Sequence, residues 1–469
     1  MRGSGYRAKV GVFGIGLEAY WDQFPGLRER LEGYQRHVEE QVGKWAEVVS
    51  AGLVDASRGA HEAAGLFAGE RVDLIFCHAA TYATSSQVLP AVQHAGAPVV
   101  VLNLQPAAAI DYASADTGEW LANCSACCVP EISNAFARAG IPFNLVSGML
   151  YEDGAAWSEI EGWCRAAGVV GGLRGARFGF LGHTYPGMLD MYSDFTMHHA
   201  QLGIHVEVLE IDDLGRHVDE INEDQVNAKL AETRETFDIQ DSVDEHELGW
   251  AGQVAAGLDA LVEESELDAL AYYYRGAEDT ENERLGAGVI LGNSLLTARG
   301  VPASGEGDLK NAVAMKVMDS LGAGGSFTEF YAMDFNENFL LMGHDGPGHL
   351  AISDRKPVLR GLGLYHGKSG SGVSVEFSVK TGPITIFAVT QTREGKLKLL
   401  AAEGESLPGQ TLEIGNTNSR LRFSLPPDEF MNAWCAHGPT HHCALGIGHR
   451  ASDIEKVARI LDLDFVRAC

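Results

Sequence analysis

Positive charge is scarce in this chain: 35 Lys and Arg face 64 Asp and Glu, a formal net charge of −29. No basic footprint offsets repulsion from phosphates, so a nucleic-acid partner is excluded, and the acidity itself serves solubility. Long apolar runs are missing as well. No stretch reaches the roughly 18 uninterrupted apolar residues of a membrane helix. The opening Met1-Arg2-Gly3-Ser4-Gly5 has no apolar segment of the signal-peptide kind. A soluble cytoplasmic protein with no membrane partner is expected. Cysteine is sparse, with three of the eight residues gathered at Cys124, Cys127 and Cys128. One CxxCC without a second pair does not make a closed zinc site, and reduced thiols are expected. Internal repeats, low-complexity tracts and an HExxH helix are also lacking.

What is present reads as ordinary globular sequence, 45% hydrophobic and 21% charged, and its 469 residues call for two or three domains. Lys9 to Gly16 is an apolar strand running into a glycine turn, without the GxGxxG of a dinucleotide site. Leu27 to Val49 has helical spacing, and Val72 to Cys77 and Pro98 to Leu104 are further buried strands. This alternation predicts an α/β domain with a doubly wound parallel sheet. Gly168 to Gly175 reads as a boundary, after which strands at Arg177 to Gly182, Ile204 to Leu209 and Leu267 to Tyr274 begin a second α/β segment. Residues 210 to 248 form an acidic helical face, and a helix runs from Glu283 to Arg299. Past about residue 350 the pattern becomes short β runs: Val373 to Lys380, Gly382 to Thr392, Leu397 to Glu403 and Leu421 to Leu425. These predict an antiparallel barrel or sandwich, closed by a helix Ala451 to Leu461 and a strand Asp464 to Val466.

The stretch from Ser304 to His349 carries the chemistry. Gly305-Glu306-Gly307-Asp308-Leu309-Lys310 is followed by Thr328-Glu329-Phe330-Tyr331, then by Gly343-His344 and Gly348-His349; His441-His442 lies far downstream. Two carboxylates with two imidazoles form a ligand set for a divalent metal of intermediate hardness, such as Mn²⁺, Co²⁺ or Fe²⁺. The flanking glycines permit sharp turns and close backbone approach.

In this order, the segments at 305–312, 327–331, 343–344, Lys380-Thr381-Gly382-Pro383-Ile384 and 440–442 make the chain resemble the L-arabinose isomerase and L-fucose isomerase superfamily, its L-arabinose branch most. The resemblance covers essentially the whole chain. It implies two Rossmann-like doubly wound domains, 1–172 and 173–325, followed by a C-terminal antiparallel β-barrel domain, 326–469, that carries metal ligands. It implies a Mn²⁺ or Co²⁺ ion held by Glu306, Glu329, His344 and His442, with His441 beside them in the pocket. It implies aldose–ketose isomerisation through an enediolate, with Glu306 and Glu329 as catalytic base and acid, and a homotrimer or homohexamer with interfacial active sites.

The sugar-contacting residues depart from that pattern. The family's histidine that reaches a neighbouring subunit's substrate is replaced by Cys127, and Glu18 stands near the family's N-terminal glutamine. Glu18, Trp21, Cys127, Met188, Tyr274, Arg275 and His441 are the candidate pocket residues. The leading expectation is therefore an isomerase of the L-arabinose to L-ribulose type. The alternatives are the same reaction on a hexose, 6-deoxyhexose or tetrose, a non-catalytic sugar-binding protein, and an enzyme using the cysteine cluster.

Overall fold

The structure is a computed structural model that describes residues 5–275, 277, 280–361 and 372–469. The chain divides into two compact units, Tyr6–Gly171 and Gly172–Cys469.

The first unit is built on five parallel strands: β1 (Lys9–Ile15), β2 (Glu47–Val54), β3 (Leu74–His78), β4 (Val99–Gln105) and β5 (Phe143–Met149). Their order is β2-β1-β3-β4-β5. The central strands β1, β3 and β4 are nearly continuous apolar runs because helices in the crossovers cover both faces of a parallel sheet. The edge strands differ from the sequence expectation. The helix expected to run to Val49 ends at Val42, and β2 follows it. β5 had no counterpart in the sequence reading. Both edge strands are half exposed and mix polar with apolar residues, so neither presents the buried run that marks the centre. The helix Leu27–Val42 buries Leu27, Leu31, Tyr34, Val38 and Val42, three or four residues apart, as a core-facing stripe requires.

In the second unit, β6 (Arg177–Gly182), β7 (His205–Leu209), a short β8 (Asp238–Ile239), β9 (Ala269–Tyr273) and β10 (Ala303–Ser304) follow in turn. Without β8 they form a parallel sheet of order β10-β9-β6-β7. Here the first strand again has the second on one side and the third on the other. The carboxyl end of β6 is thus a point where the winding reverses, the place where open α/β sheets hold ligands. Of the glycines at 168–175, Gly168, Gly171 and Gly172 lie within the last turns of the helix Gly154–Leu173, where the two units divide. The helix expected over 283–299 is two helices, Glu281–Ala287 and Ile290–Ala298, separated at Gly288.

The remaining strands are β11 (Gly324–Asp334), β12 (Phe339–His344), β13 (Val358–Gly361), β14 (Val373–Glu376), β15 (Gly382–Gln391), β16 (Leu397–Leu407), β17 (Thr417–Phe423), β18 (Cys443–Ile447) and β19 (Asp464–Arg467). Six of them close a ring, β15-β18-β11-β12-β17-β16 and back to β15, antiparallel at every seam. A barrel this small is filled by its own side chains; Met342, Ile384, Ile386, Ala402, Leu421 and Leu445 are among the buried ones. β19 adds to β16 in parallel, and β8, β13 and β14 make a small separate sheet. Among the described residues no helix is long and apolar enough to cross a membrane.

One helix, Leu309–Ser320, packs against β9 and β10 on one side and against β11, β15 and β18 on the other. It is buried over its first ten residues, seven of which are apolar. Its two lysines are buried because each finds carbonyl oxygen: Lys310 Nζ donates to Tyr192 O at 3.0 Å and Lys316 Nζ to Gly300 O at 2.8 Å. The N-terminus of this helix is where the site is assembled.

Candidate active site

The turn Gly305–Gly307 leaves β10 and enters that helix. Glu306 lies at its apex with φ 59° and ψ 12°, a left-handed conformation that disfavours a residue with a side chain. The turn is held in place on both sides: Tyr185 N donates to Glu306 O at 2.9 Å, and a Cβ on Gly307 would approach His183 O to 2.5 Å. Asp308, fully buried, caps the helix by accepting from Asn311 N at 3.0 Å.

The second oxygen of Asp308 accepts from His442 Nδ1 at 3.0 Å. A carboxylate can only accept, so Nδ1 carries the proton and the lone pair of Nε2 points the other way. Nε2 lies 3.5 Å from Glu306 Oε2, and neither atom has a hydrogen-bond partner. His344, from the end of β12, brings Nε2 to 3.9 Å from Glu306 Oε1, and its Nδ1 lies 3.1 Å from Asp345 Oδ1. The Phe327 ring packs against both imidazoles, with centroids 4.0 Å from His344 and 4.5 Å from His442.

Glu329 reaches the same place from β11, where it pairs with Gly343 of β12. It accepts from His441 Nε2 at 2.6 Å, and His441 N in turn donates to Asp190 Oδ2 at 2.7 Å. Burial pushes the Glu329 carboxyl up, but the hydrogen bond from His441 and the nearby His344 and His442 outweigh it, and the group sits below its ordinary value. The hydrogen bond to Glu329 holds His441 above its ordinary value against the opposing effect of burial.

The ligand atoms of Glu306, His344 and His442 lie within 4.8 Å of one another, as do those of Glu329, His441 and His442. The unpartnered Glu306 Oε2 and His442 Nε2, both buried, are atoms that a cation would satisfy. Carboxylate oxygen and imidazole nitrogen together are a donor set for a divalent ion. A buried carboxylate behind the histidine is the usual support for a metal-ligating ring. The residues fit a metal.

These groups open into a cavity of about 420 Å³ at the carboxyl ends of β6, β9 and β10. Tyr185, Met188, Tyr272, Tyr273, Tyr274 and Arg275 line one wall; Tyr331, Asp345 and Asn416 line the barrel side.

Of the residues singled out from the sequence, Glu306, Glu329, His344, His442, His441, Met188, Tyr274 and Arg275 are therefore gathered in the second unit. Glu18 and Cys127 belong to the first, Glu18 exposed in the short turn Glu18–Tyr20 and Cys127 exposed just before the helix Val129–Arg138. His349, left open as a partner of His344, lies instead with Nε2 3.3 Å from Asp319 Oδ1 and takes no part in the cluster. Two residues were missed. Asp308 stood inside the quoted motif, immediately before an apolar helical run, which is the signature of a cap. Nothing in the sequence pointed to Asp190, since the His441 N that it holds is some 250 positions away.

Fold and site together define an α/β protein with a carboxylate–imidazole cavity between a parallel sheet and a closed barrel. Residues 193–324 match the L-arabinose isomerase central domain, and residues 355–468 match the L-fucose isomerase C-terminal domain. The chain belongs to the L-arabinose/L-fucose isomerase family, a family of sugar isomerases. It is 25% identical over 332 residues to an L-arabinose isomerase of Herpetosiphon aurantiacus, covering 68% of this chain and 65% of that protein. It is 24% identical over 323 residues to a sulfoquinovose isomerase of Alkalicoccus urumqiensis, covering 67% and 70%. An L-arabinose isomerase of Acidothermus cellulolyticus is 25% identical over 355 residues, covering 72% and 68%. The matched stretch thus spans about two thirds of the length of these curated relatives.

Proposed function

We propose that the protein is a metal-dependent aldose–ketose isomerase acting on an L-arabinose-like pentose. The observation that carries this reading is the convergence of Glu306, Glu329 and His344 on one cavity with the buried His442 clustered against them, and with Glu306 Oε2 and His442 Nε2 left unpartnered. Glu306, Glu329, His344 and His442 would hold a divalent ion such as Mn²⁺ or Co²⁺. When bound, such an ion supplies Lewis-acid polarisation of the substrate's oxygens.

The rest is done by the chain itself. Isomerisation moves one proton from C2 to C1 of the sugar and one from the C2 hydroxyl to the carbonyl oxygen on C1. Glu306 and Glu329 are the two carboxylates available as base and acid. Glu329 has one oxygen engaged by His441, which keeps it ionised and orients the other; Glu306 is aimed by its rigid turn. The tyrosines of the cavity wall offer hydroxyls to the sugar and limit the entry of water. His441 holds Glu329, and Asp190 holds His441.

A second reading has its own support. Arg275 is the only Lys or Arg among the described residues lining the cavity. A guanidinium there suits an aldose bearing an anionic group, and sulfoquinovose isomerases are among the relatives.

The proposal extends to three domains at 1–172, 173–325 and 326–469, work in the cytoplasm, and a homotrimer or homohexamer in which Glu18 and Cys127 contact a neighbouring subunit's sugar. Mass in solution by light scattering tests the assembly. The reaction is tested by turnover of neutral and anionic aldoses by chelated protein, with and without Mn²⁺. Metal-dependent ketose formation from L-arabinose is expected, and no ketose from any sugar would overturn the assignment. Arg275→Met separates the two readings: it lowers kcat/KM by about tenfold or more on an anionic aldose and leaves a neutral pentose unaffected.

A further inference from the structure

The cysteine cluster of the first unit is not among the residues that line the cavity described above. Cys124 follows the helix Thr117–Ala122, and Cys128 caps the helix Val129–Arg138. The intervening turn folds Cys127 back so that its Sγ lies 2.7 Å from Cys124 Sγ, with Cys124 O 3.7 Å away. Ordinary packing keeps two separate sulfur atoms farther apart than this. A disulfide is about 2.05 Å long, so bond formation needs a shift of less than about 1 Å. The two thiols differ in access: Cys124 is buried and Cys127 exposed. The third sulfur is occupied elsewhere, as Cys128 Sγ lies 3.5 Å from both Thr81 O and Ser125 O and is buried. Among the described residues, no third metal-type donor joins Cys124 and Cys127, so the pair is not part of a metal cluster.

We propose that Cys124 and Cys127 are a thiol–disulfide exchange site that closes to an intramolecular disulfide, with a small oxidised disulfide such as oxidised glutathione as co-reactant. The exposed Cys127 thiolate attacks one sulfur of the co-reactant; a mixed disulfide forms and one thiolate leaves. Cys124 loses its proton to solvent and its sulfur attacks Cys127 Sγ, which forms the Cys124–Cys127 bond and expels the second thiolate. The two protein thiols give up two electrons and two protons, and the co-reactant takes them up as two thiols. Burial pushes the Cys124 thiol up to about 12, so its attack is the slower step and the adduct on Cys127 forms first. The closed pair ties the end of one helix to the start of the next. The inference rests on the geometry of the cysteine pair itself and does not require the sugar contact proposed above for Cys127.

The test holds the full chain in buffers of graded oxidised and reduced glutathione, quenches in acid, alkylates, and reads the peptide spanning Cys124 to Cys128 by mass spectrometry. In oxidising buffer the peptide is expected to lose two alkyl labels together and weigh two hydrogens less. Cys128 stays labelled, and reductant restores both sites. Cys128→Ser should leave this behaviour unchanged. Cys124→Ser should stop at a glutathione adduct on Cys127. Three labels retained in the most oxidising buffer, a lasting glutathione adduct in the unaltered chain, or a bond to Cys128 would each overturn the proposal. The exposed Cys435 serves as an internal control for alkylation.

Discussion

His442 Nδ1 and Asp308 Oδ2 meet at 3.0 Å with both side chains fully buried. This contact fixes the histidine's tautomer and its ring plane, and Asp308 holds the helix N-terminus with its other oxygen. Asp308→Asn keeps a good cap but presents an amide that need not accept from Nδ1. Divalent-ion affinity should fall about 10- to 100-fold while the circular dichroism spectrum is unchanged. Calorimetric titration with Mn²⁺ checks this, and equal affinity in the two proteins would remove Asp308 from the support of the site.

Glu306 carries two burdens in the metal-free protein: a left-handed backbone and a buried carboxylate oxygen without a partner. Relief of the left-handed strain is worth about 1–2 kcal/mol. The extra freedom of glycine in the unfolded chain costs about 0.5–1 kcal/mol. The first wins, so Glu306→Gly should raise the stability of metal-free protein by about 1 kcal/mol while abolishing turnover. A lower denaturation midpoint would show that the turn is not strained.

Added metal should stabilise the second unit. At a free Mn²⁺ concentration 100 times the dissociation constant, the gain is about 2.7 kcal/mol, and a chelator should reverse it. His442→Ala should lose most of this response. A thermal melt with and without Mn²⁺ decides the matter, and the same upward shift in the variant would take His442 off the ligand set.

Two buried histidines should make the fold sensitive to acid. Burial holds His78, whose Nδ1 lies 3.1 Å from Gln35 Oε1, down at about 3, and His198, beside Ser193, down at about 4. An unfolded histidine takes its proton near 6.5. Below that pH the unfolded chain binds protons that the folded chain refuses. Stability is therefore complete above about pH 6.5 and drains away toward pH 3–4, by up to about 1.4 kcal/mol per pH unit for each histidine. His78→Gln should flatten the acid side of the stability–pH curve in urea titrations, and an unchanged slope would rule the residue out.

The legibility of this chain in its sequence follows burial. Strands β1, β3, β4 and β6 stood out because parallel strands covered on both faces are unbroken apolar runs. β2 and β5 were not read because edge strands are half exposed and mixed in composition. The acids and histidines of the site were visible as residue types beside glycines. From spacing alone, which histidine joins which acid was not, and only the family resemblance named His442, since its choice over His349 is made by a strand pairing between β11 and β18 more than 100 residues apart. Gly343 shows the same limit: a Cβ there would run into the Thr417 carbonyl, a demand for close strands that becomes plain only once β17 lies alongside.

The closed barrel has a consequence for how such a site changes over time. Glu329, His344 and His442 come from or adjoin neighbouring strands of a ring whose hydrogen-bond ladder has no free seam, so none can shift without every strand slipping together. Much of the rest of the cavity wall, Tyr185, Met188, Tyr274 and Arg275 among it, sits on the connections after β6 and β9, where insertions and exchanges disturb no ladder. Descendants of this chain can therefore diverge in the sugar they accept while inheriting the ligand cage intact.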